Sequence, residues 1–285
     1  MKDFSNRTVY VVGGSSGIGL AAAGELARRG AHIVIFGRDT QRLSHALDRI
    51  ASRRISQDQR FSYTSMDVSV WREVLQAVEK TAASAGPPDV LINCAGRAYP
   101  GRFEDIGIDQ AEETLKTNLL GCIHTCRAAI PFMKKSGGVI VNTSSVAGFV
   151  GVFGYTDYCA SKYGLIGFSE ALRSELKPWG IHVQVLCPPD TDTPGYAVEN
   201  LTKPEETRRI STAARILTPE QVASALIRGM GTSRFLIIPG FESRLIFFIK
   251  RLFPSLVEWV NDRQIRQCRK AVSYTHLTLP TIYSV

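Results

Sequence analysis

The feature that most constrains this fold is a regular alternation of short β-branched runs with longer helical segments. The helical segments between the β-branched runs carry apolar residues three and four positions apart, as in "GLAAAGELARRG" and "WREVLQAVEKTAASAG". Strand and helix repeated at this pace predict an α/β protein with a parallel sheet covered by helices on both faces. The predicted strands are residues 8–13, 32–37, 61–66, 89–94, 138–144, 182–187 and 234–239.

The domain organisation follows from the absence of any linker within this pattern. We predict one doubly wound, Rossmann-type domain over residues 1–240, with binding residues at the carboxyl ends of its strands. Residues 241–271 are dense in Leu, Ile, Phe and Trp with basic residues interspersed, which predicts amphipathic helices. Residues 272–285 resemble translated adapter sequence, so we predict a non-native tail and a missing natural C-terminus.

Composition limits the function classes without choosing one. With 44% hydrophobic and 21% charged residues, the chain is typical of a soluble globular protein. A net charge of +8 allows nucleic acid, anionic lipid or a phosphate-bearing cofactor as partner, but the basic residues form no stripe, which argues against nucleic acid. Six cysteines without a C-x-x-C pair predict free thiols and no metal site. No apolar signal segment opens the chain, so we predict a cytoplasmic location.

A glycine-rich turn, "GGSSGIG", follows the first predicted strand and opens a helix. Glycines allow a sharp turn and a close approach of the backbone to a pyrophosphate, whose charge lies at the helix N-terminus. A glycine motif alone is weak evidence, but the strand before it and the helix after it supply the required context. The predicted dinucleotide contacts in this turn are Gly13, Ser15, Ser16, Gly17, Ile18 and Gly19.

The end of the second strand bears on the choice of nicotinamide cofactor. An acidic residue there would favour NAD, whereas this chain has Arg38 and, one helical turn on, Arg42. Arginine suits a ribose 2′-phosphate, so we predict NADPH/NADP+. Asp39 is the counter-indication, although its position is typical of a helix N-cap. Asp67, after the third strand, either lies near the adenine or caps the next helix.

A candidate proton-transfer site lies in "YCASK". Tyr158 and Lys162 are four residues apart, which places them on one face of a helix. A lysine cation there is expected to lower the pKa of the phenol. Ser145, in the preceding "NTSSVAG", could donate to a substrate oxygen. Such a pair alone is usually a surface feature, but together with the glycine turn it indicates catalysis.

Together these motifs resemble the short-chain dehydrogenase/reductase family. "NCAG" (93–96), "TNLLG", "SSVAG" and "YCASK" resemble its motifs after the fourth strand and around its catalytic tetrad, and the likeness covers about residues 5–240. The departures are Gly13, Cys94 and Pro189, of which the last stiffens the loop over the nicotinamide. The resemblance implies the tetrad Asn118, Ser145, Tyr158 and Lys162.

The resemblance also implies a role for each residue in carbonyl reduction. Tyr158 gives a proton to the carbonyl oxygen, Ser145 orients that oxygen, Lys162 tunes Tyr158 and bonds the nicotinamide ribose, and Asn118 holds a water. Homo-oligomers, dimers or tetramers, are the family expectation. The further implied cofactor contacts are Asp67, Val68, Asn93, Ala95, Gly96, Tyr158, Lys162, Pro188, Thr191 and Thr193.

The loop after the sixth strand indicates the substrate. "CPPDTDTPGYAVENLTKPEETRRIS" resembles the same segment of the 3-ketodihydrosphingosine reductases, a branch of the family that reduces 3-oxosphinganine to sphinganine with NADPH. The alternatives are another lipid ketone, a steroid, a small carbonyl, or a non-catalytic nucleotide sensor. We expect a lid from Pro194 onward. Asp190 or Asp192 would offset the substrate ammonium, or cap the following helix. The predicted lining of an apolar channel is Phe149, Phe153, Tyr155 and Tyr196.

The C-terminal segment suggests a membrane partner. No apolar run there reaches the length of a spanning helix. Residues 241–270, interrupted by Lys250 and Arg251, are instead typical of helices that lie in a membrane interface. We predict peripheral contact with the cytoplasmic face of a membrane. A dimer interface and a substrate lid are the alternatives.

Overall fold

The computed structural model describes residues 3–211 and 215–277, and its centre is a seven-stranded, entirely parallel sheet. The strand order is β3-β2-β1-β4-β5-β6-β7. All seven predicted strands are confirmed, with small shifts at their ends. They are β1 (Thr8–Val12), β2 (His32–Gly37), β3 (Phe61–Ser65), β4 (Val90–Asn93), β5 (Gly138–Thr143), β6 (Ile181–Leu186) and β7 (Leu236–Ile237).

Helices connect the strands and cover both faces of the sheet, as the alternation predicts. A π-helical turn, Lys116–Leu120, joins the fourth and fifth helices. The helices are α1 (Gly17–Ala27), α2 (Thr40–Ala51), α3 (Trp71–Ala85), α4 (Ile108–Leu115), α5 (Gly121–Met133), α6 (Thr156–Leu176), α7 (Pro194–Thr202), α8 (Glu205–Ser211), α9 (Pro219–Met230), α10 (Phe241–Leu252) and α11 (Pro254–Leu277).

The central strand β1 shows how the two apolar layers form. All five of its residues are buried, as expected for a strand covered on both faces. Val9 and Val11 pack into a core with Leu26 of α1, on one side of the sheet. Tyr10 and Val12 point to the other side, into a core shared with α3, α5 and α6. Alternate side chains therefore serve opposite layers.

The chain reverses its direction of winding between β1 and β4. From β1 it proceeds outward to β2 and β3, then returns past β1 to β4 and continues through β5 to β7. The loops that follow β1 and β4 consequently diverge and leave a crevice at the carboxyl edge, which is where parallel α/β sheets bind ligands.

The C-terminal segment is helical, as predicted, but it extends beyond the predicted boundary. The helix α11 runs to Leu277, into the segment that the sequence assigns to a non-native tail, and residues 278–285 lie outside the described residues. No helix in the described part of the chain is long and apolar enough to cross a membrane.

Candidate active site

The glycine turn packs tightly against the loop that follows β4. Gly13 has φ +78°, and a Cβ there would lie 2.6 Å from the backbone nitrogen of Ala95. A Cβ on Gly19 would lie 2.3 Å from the carbonyl oxygen of Gly13. Neither position has room for a side chain, so glycine is required at both.

The first turn of α1 fits an anionic ligand. The N-cap residue Ser16 makes no side-chain capping hydrogen bond, and the first turn contains no acidic residue. The backbone amides of Gly17 and its neighbours are therefore not capped by this side chain, and the helix dipole favours negative charge there. Ile18, by contrast, packs against the core, so only its backbone can serve a cofactor. These residues fit a dinucleotide pyrophosphate.

Asp39 confirms the N-cap prediction. Its carboxylate accepts a hydrogen bond from the backbone N–H of Arg42 at 3.0 Å, at the start of α2. Because that carboxylate is bound to the helix end, it is not placed as an NAD-selecting acid would be. The Arg42 side chain itself is exposed.

Arg38 and Asp67 lie together where β2 and β3 end. The guanidinium of Arg38 is 3.7 Å from the Asp67 carboxylate, and its side chain is 62% exposed. Asp67 accepts hydrogen bonds from the backbone and hydroxyl of Ser69. Burial opposes its ionisation, but these bonds and Arg38 together lower the pKa of Asp67. The alternative that Asp67 caps α3 is wrong, because Val70 is the N-cap residue.

The loop after β4 divides its predicted residues between the core and the crevice. The side chain of Asn93 is buried and donates to Asn142 at 2.9 Å, so only its backbone can meet a cofactor. Gly96 lies against the catalytic candidates: a Cβ there would be 3.3 Å from Asn118 Oδ1 and 3.5 Å from Lys162 Nζ. Ala95 supports the Gly13 turn, as described above.

Asn118 holds this loop in place from the π-helical turn. Its Oδ1 accepts from the backbone N–H of Arg97 at 2.9 Å, and its Nδ2 donates to the Arg97 carbonyl at 2.9 Å. The same Nδ2 donates to Ser161 Oγ at 3.1 Å. The side chain is therefore a structural link between α6 and the β4 loop, in addition to any water it holds.

Tyr158 and Lys162 share one face of α6, as their spacing predicts. Lys162 Nζ lies 5.5 Å from the centre of the Tyr158 ring and donates to the Thr143 carbonyl at 2.9 Å. Burial lowers the pKa of Lys162 to about 8. Burial also raises the pKa of Tyr158, Glu199 adds to that rise, and a hydrogen bond with Ser145 opposes it.

The phenol pKa therefore moves in the opposite direction to the expected lowering, because burial and the nearby negative charge of Glu199 disfavour the phenolate. A protonated Tyr158 is the form that a proton donor needs.

Ser145 connects the loops after β5 and β6. It is the N-cap of a 3₁₀ turn, Val146–Gly148, and accepts from the backbone N–H of Ala147 at 3.1 Å. Its hydroxyl donates over a long 3.5 Å to the carbonyl of Pro188, which also accepts from Val146 N–H at 3.0 Å. Pro188 is thus placed beside the predicted tetrad.

Thr193 links α7, the start of the predicted lid, to the glycine turn. It is the N-cap of α7 and accepts from the backbone N–H of Tyr196 at 3.1 Å, so the alternative that Asp190 or Asp192 caps this helix is wrong. A Cβ on Gly17 would lie 3.0 Å from Thr193 Cγ2. Thr191, by contrast, donates to the Pro189 carbonyl and bridges to Leu217, which fixes the loop.

The four aromatic residues predicted to line the channel do not lie together. The Tyr155 ring lies 5.6 Å from that of Tyr158, and Tyr196 is on the lid helix α7. Phe149 instead packs edge-on against Phe247 of α10, at 5.2 Å, in a cluster that anchors the C-terminal helices. Phe153 contributes its carbonyl, which accepts from Thr207.

Sequence reasoning missed a charged group beside Tyr158. Glu199, on α7, accepts a hydrogen bond from Tyr155 Oη at 2.9 Å. Lys203 is buried, with its Nζ 3.9 Å from the centre of the Tyr196 ring. The three-residue spacing of Tyr196 and Glu199 on a helix was a usable signal that they face the same side.

The fold and this arrangement of side chains define a Rossmann-type oxidoreductase. A family model described as short chain dehydrogenase matches residues 7–204, and the chain belongs to that family.

Curated relatives are similar to this chain over about three quarters of its length. A Bos taurus protein named 3-ketodihydrosphingosine reductase is 42% identical over 222 residues, which are 77% of this chain and 67% of the relative. A Dictyostelium discoideum protein of the same name is 38% identical over 239 residues, 78% of this chain and 71% of the relative. The solved structure of levodione reductase superimposes with a TM-score of 0.75, covers 85% of this chain and 99% of its own, and is 23% identical, which supports the fold.

Proposed function

We propose that this enzyme uses NADPH to reduce 3-oxosphinganine to sphinganine, a step of sphingolipid synthesis. The similarity to relatives of that name, at 38–42% identity over three quarters of the chain, carries the choice of substrate. The pair of the partly buried Tyr158 and the buried Lys162, beside Ser145, supports the reaction type.

The catalytic side chains divide the work of carbonyl reduction. The bound dinucleotide supplies hydride to the carbonyl carbon. Tyr158 holds its proton because burial raises the phenol pKa, and it donates that proton to the carbonyl oxygen. Ser145 donates a hydrogen bond to the same oxygen. Lys162, fixed by the Thr143 carbonyl, orients Tyr158 and supports the nicotinamide ribose.

The remaining cofactor assignments rest on the loops at the carboxyl edge. Arg38 would bind the 2′-phosphate, because its guanidinium is exposed beside the crevice and only weakly engaged by Asp67. The α1 amides would hold the pyrophosphate, and Thr193, beside Gly17, would meet the carboxamide.

Turnover of purified protein tests this proposal directly. We expect NADPH oxidation with 3-oxosphinganine, and much weaker oxidation of NADH. Replacement of Arg38 by alanine should raise KM for NADPH and leave KM for NADH nearly unchanged. The control is Arg49→Ala, an exposed arginine in the last turn of α2. Faster turnover of a steroid or a small ketone than of 3-oxosphinganine would favour the general reductase instead.

The exposed surface of the two C-terminal helices supports the predicted membrane contact. We define the α10–α11 apolar face as Phe241, Leu245, Phe248, Leu252, Phe253, Leu256, Trp259 and Val260, all exposed. Its α10 members recur at four-, three- and four-residue intervals, which forms one helical stripe. The exposed Arg244 and Arg251 lie on the same helix.

We infer that this face lies in the interface of an anionic membrane, on its cytoplasmic side. The apolar stripe would enter the acyl boundary while the arginines meet headgroups. The free thiols of the five cysteines whose side chains are described suit a reducing compartment.

Co-sedimentation with vesicles tests the membrane proposal. The protein should pellet with phosphatidylserine-containing vesicles and less with neutral ones. The Phe248→Ser/Leu252→Ser variant should remain in the supernatant, whereas Ile55→Ser, an equally exposed apolar position, should not change sedimentation. Loss of a dimer in the double variant, measured by light scattering, without any change in vesicle binding would indicate an oligomer interface. The predicted dimer or tetramer is measured in the same experiment.

A further inference from the structure

The Glu199 carboxylate is separated from the predicted proton donor Tyr158 by one side chain, that of Tyr155. Glu199 Oε2 accepts from Tyr155 Oη at 2.9 Å, and the Tyr155 ring lies 5.6 Å from the Tyr158 ring. Glu199 is part of the lid helix α7, whereas both tyrosines belong to the start of α6. Lid and catalytic helix therefore meet at this carboxylate.

The described side chains place no cation in direct contact with the Glu199 carboxylate. Among the side chains that the structure describes, those of residues 3–209 and 215–267, no lysine, arginine or histidine nitrogen forms an ion pair within 4.0 Å of its oxygens. Lys203, four residues on, lies over the Tyr196 ring and 4.0 Å from Asp190, and its charge also favours the ionised form of Glu199 at a longer distance. Burial raises the pKa of Glu199, and it outweighs the hydrogen bond from Tyr155 and the attraction of the Lys203 and Lys162 charges. A partly buried carboxylate with only a neutral donor is well suited to a cationic ligand.

The other acids of this loop fit such a ligand less well. Asp190 faces Lys203 and accepts from Tyr196 Oη at 3.3 Å, so its charge already has partners. Asp192 is exposed to solvent.

We propose that Glu199 binds the ammonium group next to the reacting ketone, and that Tyr155 is its positioning residue. This inference rests on the proposed function and names the group that selects the substrate. In 3-oxosphinganine the amine and the ketone are on neighbouring carbons. When the ketone oxygen is bound to Tyr158, the ammonium on the neighbouring carbon lies beside the reacting centre. Glu199 is also close to that centre, because it is bonded to Tyr155, whose ring packs against that of Tyr158. The resulting bond is charge-assisted.

This pairing has a consequence for specificity. A ketone of the same chain length without the amine would leave the Glu199 carboxylate covered by the substrate, with the Tyr155 hydroxyl as a donor but no cationic partner. Sites built around a polar contact discriminate strongly against analogues that lack the matching group. The enzyme should therefore prefer amino ketones.

A comparison of two ketones tests the inference. The substrates are 3-oxosphinganine and 1-hydroxyoctadecan-3-one, which differ only in the amine, presented in identical detergent micelles. The measured quantity is the ratio of their kcat/KM values. We expect Glu199→Gln to lower this ratio by about 10- to 100-fold, mainly through KM for the amino ketone. Tyr155→Phe should lower it by less, because the carboxylate remains.

The matched control is Glu205→Gln, an exposed glutamate on the neighbouring helix α8 that pairs with Arg209. It should keep the wild-type ratio. An unchanged ratio in Glu199→Gln, or an equal loss with both ketones, overturns the ammonium site while the proposed function stands. Failure of the wild type to reduce 3-oxosphinganine overturns the proposed function itself.

Discussion

At the scale of single residues, burial governs the chemistry of the Tyr158–Lys162 pair. Both side chains are enclosed by the loops after β4, β5 and β6, and each pKa moves towards the neutral form of its group. A neutral phenol keeps the proton that reduction consumes. Lys162 is held by a carbonyl, which accepts from the ammonium and fixes its position.

The first prediction concerns Tyr158→Phe. We expect kcat for 3-oxosphinganine to fall at least about a hundredfold, because the proton donor is lost while the ring and its packing remain. Affinity for NADPH, measured by fluorescence titration, should change little. Tyr163→Phe, on an exposed position of the same helix, is the control. Substantial residual turnover in the Tyr158 variant would contradict the assignment.

The second prediction concerns the pH dependence of stability. The pKa of Lys162 is about 8 in the folded protein against 10.5 for an ordinary lysine, so between these values the unfolded chain binds more protons. The contribution of Lys162 to the free energy of unfolding therefore rises with pH across this range, and below pH 8 the buried charge costs most.

Urea titrations of wild type and Lys162→Met measure this effect. The variant should gain most in relative stability near pH 7.5, and its advantage should shrink as the pH approaches 10.5. Lys135→Met, at an exposed position without a burial cost, is the control. A difference between variant and wild type that does not change with pH would contradict the burial argument.

At the scale of elements, the turns at the carboxyl edge pack closely against one another at glycine positions. Gly13 meets the backbone of the loop after β4, and Gly17 meets the side chain of Thr193, the N-cap residue of α7. The lid helix α7 itself has no buried residue and exposes Val198 and Leu201. Few buried contacts are typical of segments that open locally, as a lid over substrate requires.

The third prediction compares two glycine-to-alanine changes. Gly13→Ala should lower the melting temperature and weaken NADPH binding by tenfold or more, because its Cβ would collide with the Ala95 backbone at a positive φ. Gly167→Ala, within α6 and with no atom within 4 Å of the added Cβ, should stabilise the protein by about 0.5–1 kcal/mol. Calorimetry and cofactor titration measure both. Tolerance of alanine at position 13 would contradict the close packing of these loops.

At the scale of the whole molecule, a buried polar network ties the sheet to the α5–α6 layer. Asn93 donates to Asn142 at 2.9 Å, and Asn142 donates to Ser169 of α6 at 2.9 Å. Thr125 of α5 donates to Asn93 at 2.8 Å. All four residues are buried, so each bond depends on the others being present.

The fourth prediction concerns Asn142→Ala. The change removes the centre of this network and leaves the Asn93 amide and Ser169 hydroxyl with fewer partners. We expect a loss of about 2–3 kcal/mol in the free energy of unfolding, measured with urea. Gln57→Ala, at an exposed position, should stay within about 0.5 kcal/mol of wild type. A similarly small effect at Asn142 would show that the network adds little to stability.

Local sequence by itself determined the class of fold and the positions of the chemistry-bearing residues. Hydrophobic periodicity predicted all seven strands, and the resemblance of the motifs after β4 and β5 to the short-chain dehydrogenase/reductase family implied the tetrad at the carboxyl edge of the sheet. The capping role of Asp39 was also predictable, because a helix cap depends only on residues within one turn.

Tertiary structure alone decided how those residues behave. The raised pKa of Tyr158, the inward turn of Asn93 and the packing of Phe149 on α10 all follow from contacts between segments far apart in the chain. The same holds for the pairing of Tyr155 with Glu199, which are 44 positions apart. Burial and charge at a site are sums over neighbours from many elements, and a sequence pattern records only the neighbours along the chain.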